Sequence, residues 1–253
     1  MAKVLTAKST TTRTPKKKTA GAKATIWIKI KKAVVYFFIF FFTSTIGFTI
    51  LYRFIPPLCT PLMLIRVVQQ VFNGEEVKMK YKWKNLEDIS AKMPLAVIAS
   101  EDSHFKTHYG FDVDAIYHAY KSNQKKGKKI VKGGSTISQQ TAKNVFLWPG
   151  RSWIRKGLEV YFTVLIETLW GKKRIIEMYL NVIEMGNGIY GTEAAARKYF
   201  DKPAKKLTKY ECAAITSVLP SPRKWSVSKP SAFVRKKQQR IVTGMNFMKN
   251  VKF

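Results

Sequence analysis

The chain has 253 residues and carries 46 Lys and Arg against 15 Asp and Glu, a formal net charge of +31. With 46% hydrophobic residues it can bury a real core as one medium domain or two small ones, which excludes a wholly disordered chain. Cys59 and Cys212 allow at most one intrachain disulfide and show no metal-ligand spacing, so two free thiols are expected.

Residues 1–24, rich in Lys, Thr, Ala and Ser, read as a disordered segment of a basic tail that runs to residue 32. The run "AVVYFFIFFFTSTIGFTILY" from Ala33 to Tyr52 carries no charge and has the length of a membrane-spanning helix. An anchor over 33–53 is therefore expected. No A-x-A-like site follows it closely, and the run exceeds an ordinary signal-peptide core. Lys3, Lys8, Arg13, Lys16, Lys17, Lys18, Lys23, Lys29, Lys31 and Lys32 precede it, and no acid occurs before Glu75. Such a flank stays in the cytoplasm, so the rest of the chain is expected across the membrane, on its outer face. A domain exported in this way does not meet the genome. The anionic partner implied by the charge is then a lipid headgroup or a lipid-linked phosphate, and no nucleic acid.

Pro56, Pro57 and Pro61 break the helix and form a short stalk, and "LMLIRVVQQVF" reads as a juxtamembrane helix within 54–74. The folded domain is placed at 75–253 and is mainly α by pattern. Its main interruption, Lys121 to Thr136, has the charge and glycines of a mobile loop or flap. "LPSPRKW" from Leu219 is a loop before a last basic helix.

Pro94 suits a first helical turn. On a wheel started at Leu95, Val97, Ile98 and Phe105 define an apolar arc that also contains Glu101 and Asp102. Ser100, Ser103 and His104 take the opposite face. Two scarce acids thus point toward a core or cleft, the setting of a general acid or base or of a structural acid held by hydrogen bonds. In "RKGLEVYFTVLIETLW" Glu159 lies on the apolar face one turn after Arg155, while Glu167 points outward as ordinary surface. Glu177, Asn181 and Glu184 share a polar face of the next helix and read as solvated. Gly133 and Gly134, followed by Ser135 and Thr136, look like a loop opening a helix. Its free N–H groups could hold a phosphate or simply be capped. It is not a P-loop, since no G-x-x-x-x-G-K-[ST] occurs. Lys143, Arg151, Arg155 and Lys156 follow and would suit a pyrophosphate. Glu101, His104, His108 and Asp112 are ligand-type residues at short spacing. A zinc site is disfavoured, because His104 lies opposite Glu101 and H-E-x-x-H is absent.

Taken together these segments resemble the peptidoglycan glycosyltransferases, glycosyltransferase family 51, and within it the monofunctional biosynthetic peptidoglycan transglycosylases. E-D-x-x-F-x-x-H-x-G-x-D is met by Glu101, Asp102, Phe105, His108, Gly110 and Asp112. G-G-S-T-I-x-Q-Q is Gly133 to Gln140, and R-K-x-x-E is Arg155, Lys156 and Glu159. K-x-x-I-L-E-x-Y-L-N runs from Lys172 to Asn181, with Ile176 where the family usually has Leu.

The resemblance implies a lysozyme-like helical domain with a membrane-proximal jaw. It implies inverting transfer of a lipid-linked glycan to the 4-hydroxyl of lipid II, with release of undecaprenyl pyrophosphate. By this likeness Glu101 is the general base, and Glu159 helps position or stabilise the donor diphosphate. Lys143, Arg151, Arg155 and Lys156 neutralise the leaving pyrophosphate. Ser135, Gln139 and Gln140 bind sugar or phosphate oxygens. Asp102, Phe105, His108, Asp112, Glu177 and Asn181 become structural residues near the site. A divalent cation, Mg or Mn, is a candidate at the donor diphosphate, and no other cofactor is implied. Expected partners are lipid II, the growing lipid-linked glycan, membrane lipids and other cell-wall synthesis proteins. Ser221 to Lys224 is an S-x-x-K, but S-D-N and K-T-G do not follow, so no transpeptidase activity is expected. Two rivals stand beside this reading. A glycan-cutting hydrolase would need an acid aimed at a sugar leaving group rather than cations, and a non-catalytic anchored scaffold would only bind anionic lipid.

Overall fold

The computed structural model describes residues 19–124, 134–150 and 152–248. The chain divides into two compact units, Met1–Gly47 and Phe48–Phe253. Helix α1 (Thr19–Phe54) runs through the division. Its segment Ile26–Phe54 has a mean hydropathy of 2.1 and is only 6% buried over its most apolar window, long and apolar enough to cross a membrane. A helix that is apolar all round and barely covered by protein needs an apolar medium. Phe37 stacks on Phe41 and Phe38 on Phe42, one turn apart. The hydroxyls of Ser44 and Thr45 donate back to the Phe41 carbonyl, which satisfies them inside the helix. Residues 19–32, read from the sequence as part of the basic tail, already belong to this helix.

The second unit is mainly α, as expected. It contains α2 (Pro61–Phe72), α3 (Lys92–Glu101), α4 (Val113–Gln124), α5 (Ile137–Phe146) and α6 (Trp153–Leu169). These are followed by α7 (Gly171–Val182), α8 (Gly191–Phe200), α9 (Lys209–Ser217) and α10 (Ala232–Phe247). On one side α5 packs on α6 and α7 through Ile137, Val145, Phe162, Ile166, Ile175 and Ile176. On the other, α3 packs on α9 and α10 through Met93, Val97, Ile98, Ala213, Ile241 and Met245. Both sets belong to one continuous core.

Three short strands complete the body: β1 (Lys80–Tyr81), β2 (Glu184–Gly186) and β3 (Ile189–Tyr190), in the order β1-β3-β2. β1 runs parallel to β3, and β2 antiparallel to it. Segments of two or three residues are too short for alternation to register in sequence. Gly188 makes the crossing possible. It sits at φ +68°, and a Cβ there would lie 2.1 Å from the Lys78 carbonyl oxygen.

Helix α2 is part of the folded body, although the sequence placed the domain start at residue 75. Thr60 caps it, Pro61 opens it, and Met63 is fully buried in the core. Gln70 is buried and accepts the Lys78 N–H at 2.8 Å.

Several polar residues sit where the wheel did not put them. Glu167 is not surface: its side chain is 7% exposed and accepts from Ser138 Oγ and from Lys172 Nζ. Asn181 is buried, with Oδ1 accepting the Lys84 N–H and Nδ2 donating to the Lys84 carbonyl. Glu177 accepts the Leu86 N–H at 2.9 Å and a hydrogen bond from Arg174. The polar stripe of α7 therefore faces the extended segment 84–86 instead of water. A wheel records the face of a helix and cannot know which segment will cover it. Glu184 has left α7 altogether and is buried in β2.

Candidate active site

The doublet Glu101–Asp102 splits where α3 ends. Asp102 adopts φ −162° and ψ 78°, so its side chain departs from the helical progression. Glu101 keeps a side chain 14% exposed and lines a cavity of about 150 Å³ with Asp102, Ser103, Asp112, Gly134 and Ser135. Its Oε1 accepts from Ser100 Oγ at 2.8 Å and lies 3.5 Å from Lys237 Nζ.

Asp102 is buried and turned the other way. Its carboxylate accepts from His108 Nε2 at 2.9 Å and from the Ile137 N–H at 2.9 Å. Phe105 is fully buried, edge-on to His108, with the Lys172 ammonium 4.7 Å above its ring. Asp112 Oδ1 accepts the Ala115 N–H at the start of α4, and Oδ2 meets His104 Nδ1 at 2.8 Å. The Ala115 N–H holds this carboxyl below its ordinary range; burial opposes that effect and His104 reinforces it. Gly110, at φ +83°, has no room for a Cβ, which would lie 2.8 Å from Thr163 Cγ2. Its carbonyl accepts the Thr136 hydroxyl.

The start of α5 differs from the phosphate cradle considered in the sequence. Thr136 and Gln139 form a capping box, and Asp102 takes the Ile137 N–H. The protein's own groups thus occupy three of the donors that a phosphate would need, the N–H groups of Thr136, Ile137 and Gln139. Of the flap expected at 121–132, residues 121–124 form the end of α4, while residues 125–132, like Gly133 and Arg151, lie outside the described residues.

A larger cavity of about 480 Å³ opens on the far side of Ser135. Ser135, Gln139, Gln140 and Lys143 line it from the start and middle of α5, and Arg155, Lys156 and Glu159 from α6. Ser152 caps α6 by accepting the Arg155 N–H, which fixes that first turn. Arg155 Nη1 donates to Glu159 Oε2 at 2.8 Å, and Lys156 Nζ to Oε1. The Glu159 side chain is 4% exposed and that of Arg155 10%, so this pair is desolvated, whereas Lys156, 41% exposed, stays partly in water. Burial pushes the Lys143 ammonium below its ordinary value; Glu159 opposes the shift, and Arg155 and Lys156 add to it. Gln139 spends its carbonyl oxygen on the capping box, and Gln140 accepts from Tyr179.

Three buried nitrogens on residues lining this cavity have no hydrogen-bond partner among the described residues: Arg66 Nε, Asn144 Nδ2 and Arg155 Nε. Buried donors are seldom left unsatisfied, and these three belong to residues around one basin. Arg66 and Asn144 were not singled out in the sequence. Asn144 follows Lys143 and lies one turn after Gln140, a spacing that could have flagged it. Arg66 sits on a helix read as a membrane stalk. Lys237 is one of many cations on α10, with no local signal.

A protein-held divalent cation does not fit this donor set. Both Glu159 oxygens are engaged by cations, and burial raises the pKa of Glu184, the cavity's other carboxyl. Among the described residues no group of three His, Cys, Asp or Glu could hold a metal. Glu177 and Asn181 line neither cavity.

Residues 67–246 match the family model described as Transglycosylase. Over 224 residues the chain is 51% identical to a biosynthetic peptidoglycan transglycosylase of Bacteroides thetaiotaomicron, covering 87% of this chain and 90% of that one. It is 56% identical to one of Caulobacter vibrioides over 192 residues, 76% of this chain and 80% of the relative. A third, from Bdellovibrio bacteriovorus, is 50% identical over 216 residues, 85% and 86% of the two chains. The lysozyme-like helical fold implied by the motifs is that of the matched family. With the motifs, the helical body and these relatives in agreement, the chain belongs to the transglycosylase family, among the biosynthetic peptidoglycan transglycosylases.

Proposed function

We propose that this enzyme, a peptidoglycan glycosyltransferase, polymerises lipid II into β-1,4 glycan strands. The carrying observation is the pair of cavities that share Ser135, one with Glu101 and the other with Glu159 and its cations. The smaller takes the acceptor, and Glu101 removes the proton of its 4-hydroxyl. The freed oxygen attacks the anomeric carbon of the donor while the bond from that carbon to the diphosphate oxygen breaks. Attack from the opposite face inverts the α linkage to β. Undecaprenyl pyrophosphate leaves with the bonding electrons, into the larger cavity.

Charge develops on that leaving group, and preorganised cations stabilise it. Lys143, Arg155 and Lys156 supply them, with Arg151 from outside the described residues. The unpartnered N–H groups of Arg66, Asn144 and Arg155 are donors for diphosphate or sugar oxygens, with Ser135, Gln139 and Gln140 beside them. Glu159 holds Arg155 and Lys156 in place. No divalent cation enters this scheme. Asp102, His108 and Asp112 shape the loop that follows the base.

A glycan-cutting hydrolase is less well supported, because a basin of cations suits a phosphate leaving group better than a sugar oxygen. With the basic flank in the cytoplasm, the catalytic domain acts on the outer face, beside its lipid-linked substrates and membrane lipids. The chain has no S-D-N or K-T-G, so cross-linking is assigned to other cell-wall enzymes. The test is incubation of the solubilised chain with lipid II, which should give polymer and free undecaprenyl pyrophosphate. Glu101→Gln should abolish polymer while lipid II binding stays measurable; retained polymerisation would sink the reading.

A further inference from the structure

Glu101 is tethered through one oxygen. Oε1 takes the Ser100 hydroxyl and faces the Lys237 ammonium at 3.5 Å. Oε2 has no hydrogen bond among the described residues. The two side chains are 21% and 14% exposed for Lys237 and Glu101, so neither ion is freely solvated. Long, flexible side chains do not stay in such a place without compensation. The approach is built into the packing. Gly244 lets α10 close on α3, since a Cβ there would lie 3.2 Å from Ala99 Cβ.

We propose that Lys237 is a positioning residue for Glu101, its ammonium and the Ser100 hydroxyl fixing Oε1 so that Oε2 is presented to the acceptor's hydroxyl proton. This rests on the reading of Glu101 as base. A freely rotating carboxylate would offer either oxygen in many directions, whereas a base must lie within hydrogen-bond reach of one proton.

The surroundings of Glu101 leave this task to Lys237. Lys236 and Arg240 of α10 line the adjoining basin of about 460 Å³ with Lys237. Neither forms an ion pair with Glu101 among the described residues. Asp102 is committed to His108, and Asp112, across the small cavity, to His104. Tyr179 of α7 is fully buried, and burial, with Glu101 and Asp102 behind it, keeps its hydroxyl protonated. From α9, burial pushes the Cys212 thiol up to about 12 and keeps it neutral. Lys237 itself titrates below its ordinary range because of burial, with Glu101 pulling it back up.

The experiment measures kcat and KM for lipid II with the full solubilised chain, as wild type, Lys237→Met, Lys237→Arg and Glu101→Gln. Lys237→Met should lower kcat by on the order of 10- to 100-fold with KM changed less than about threefold. Lys237→Arg should recover most of kcat. Since guanidinium stays charged, it should also extend activity to higher pH than wild type. If Lys237→Met fails to fold by thermal melting, the alkaline limb of Lys237→Arg decides alone. A wild-type kcat in Lys237→Met, a change confined to KM, or an unmoved alkaline limb in Lys237→Arg would overturn the assignment. Polymerisation by Glu101→Gln would instead remove the base assignment, and the Lys237 role with it.

Discussion

Asp102 and Ile137 are joined by a hydrogen bond of 2.9 Å from the Ile137 N–H to the Asp102 carboxylate. The first turn of α5 is thereby locked to the residue that follows Glu101. A carboxylate at a helix N-terminus is stabilised by the helix dipole and by the N–H groups it satisfies. The same carboxylate holds His108, so one acid organises the loop between the two cavities.

Truncating that acid should loosen both attachments. Asp102→Ala is expected to cost about 3 kcal/mol, since it strands buried partners. Asp102→Asn, which keeps an acceptor, should cost less. Thermal melts of the two variants and wild type check the order. Equal melting of all three would deny Asp102 its structural role.

Glu167 and Glu87 provide a contrast between a buried and an exposed acid. Glu167 is paired with Lys172 and Ser138 under a side-chain exposure of 7%, whereas Glu87, facing Lys173, is 84% exposed. Glu167→Ala should destabilise by about 3 kcal/mol, through a stranded Lys172, and Glu87→Ala by less than about 0.5 kcal/mol. Denaturant midpoints measure the difference.

Asp112 gives an acid-sensitive prediction. Its folded pKa is held below the ordinary 3.8, first by the Ala115 N–H. A depressed carboxyl contributes stability that is present above its unfolded value and is lost as pH falls through the folded value. Asp112→Asn should therefore remove part of the stability loss below about pH 4 while keeping the cap. Asp112→Ala should cost about 1 kcal/mol at neutral pH. Melting curves from pH 7 downward test both.

Lys143 gives the alkaline counterpart, and its signature differs from that of Lys237. Burial lowers its pKa from 10.5, so its charge is lost earlier than that of an exposed lysine as pH rises. If it holds the donor diphosphate, KM for the lipid-linked donor should climb on the alkaline side. Lys143→Arg should abolish that climb, because guanidinium does not titrate there. An identical KM profile in both proteins would rule Lys143 out of donor binding.

Glu159→Gln should lower kcat/KM by at least about tenfold, because Arg155 and Lys156 lose the group that orders them. The loss should exceed that of Glu184→Gln, which lines the same cavity but contacts neither cation among the described residues. Steady-state polymerisation assays separate the two.

The amino-acid pattern alone made legible the membrane-length helix, the mainly helical body and the inward direction of Glu101 and Glu159. It did so because each rests on local spacing: an uncharged run, a period near 3.6, and an acid at an apolar position. It could not tell Glu101 from Asp102, since the wheel continues through a residue whose backbone leaves the helix. It read Glu167 and Asn181 as solvated, because Ser138 and Lys84, which meet them, lie far away in the chain, and Glu184 as a helical position, although that residue has left α7 for β2. The tie between Asp102 and the start of α5, the convergence of Arg66, Asn144 and Arg155 around one cavity, and the approach of Lys237 to Glu101 arise from the folding of distant segments onto one another. Each joins residues from separate elements, and burial then makes their unpaired charges and donors matter far more than they would in water.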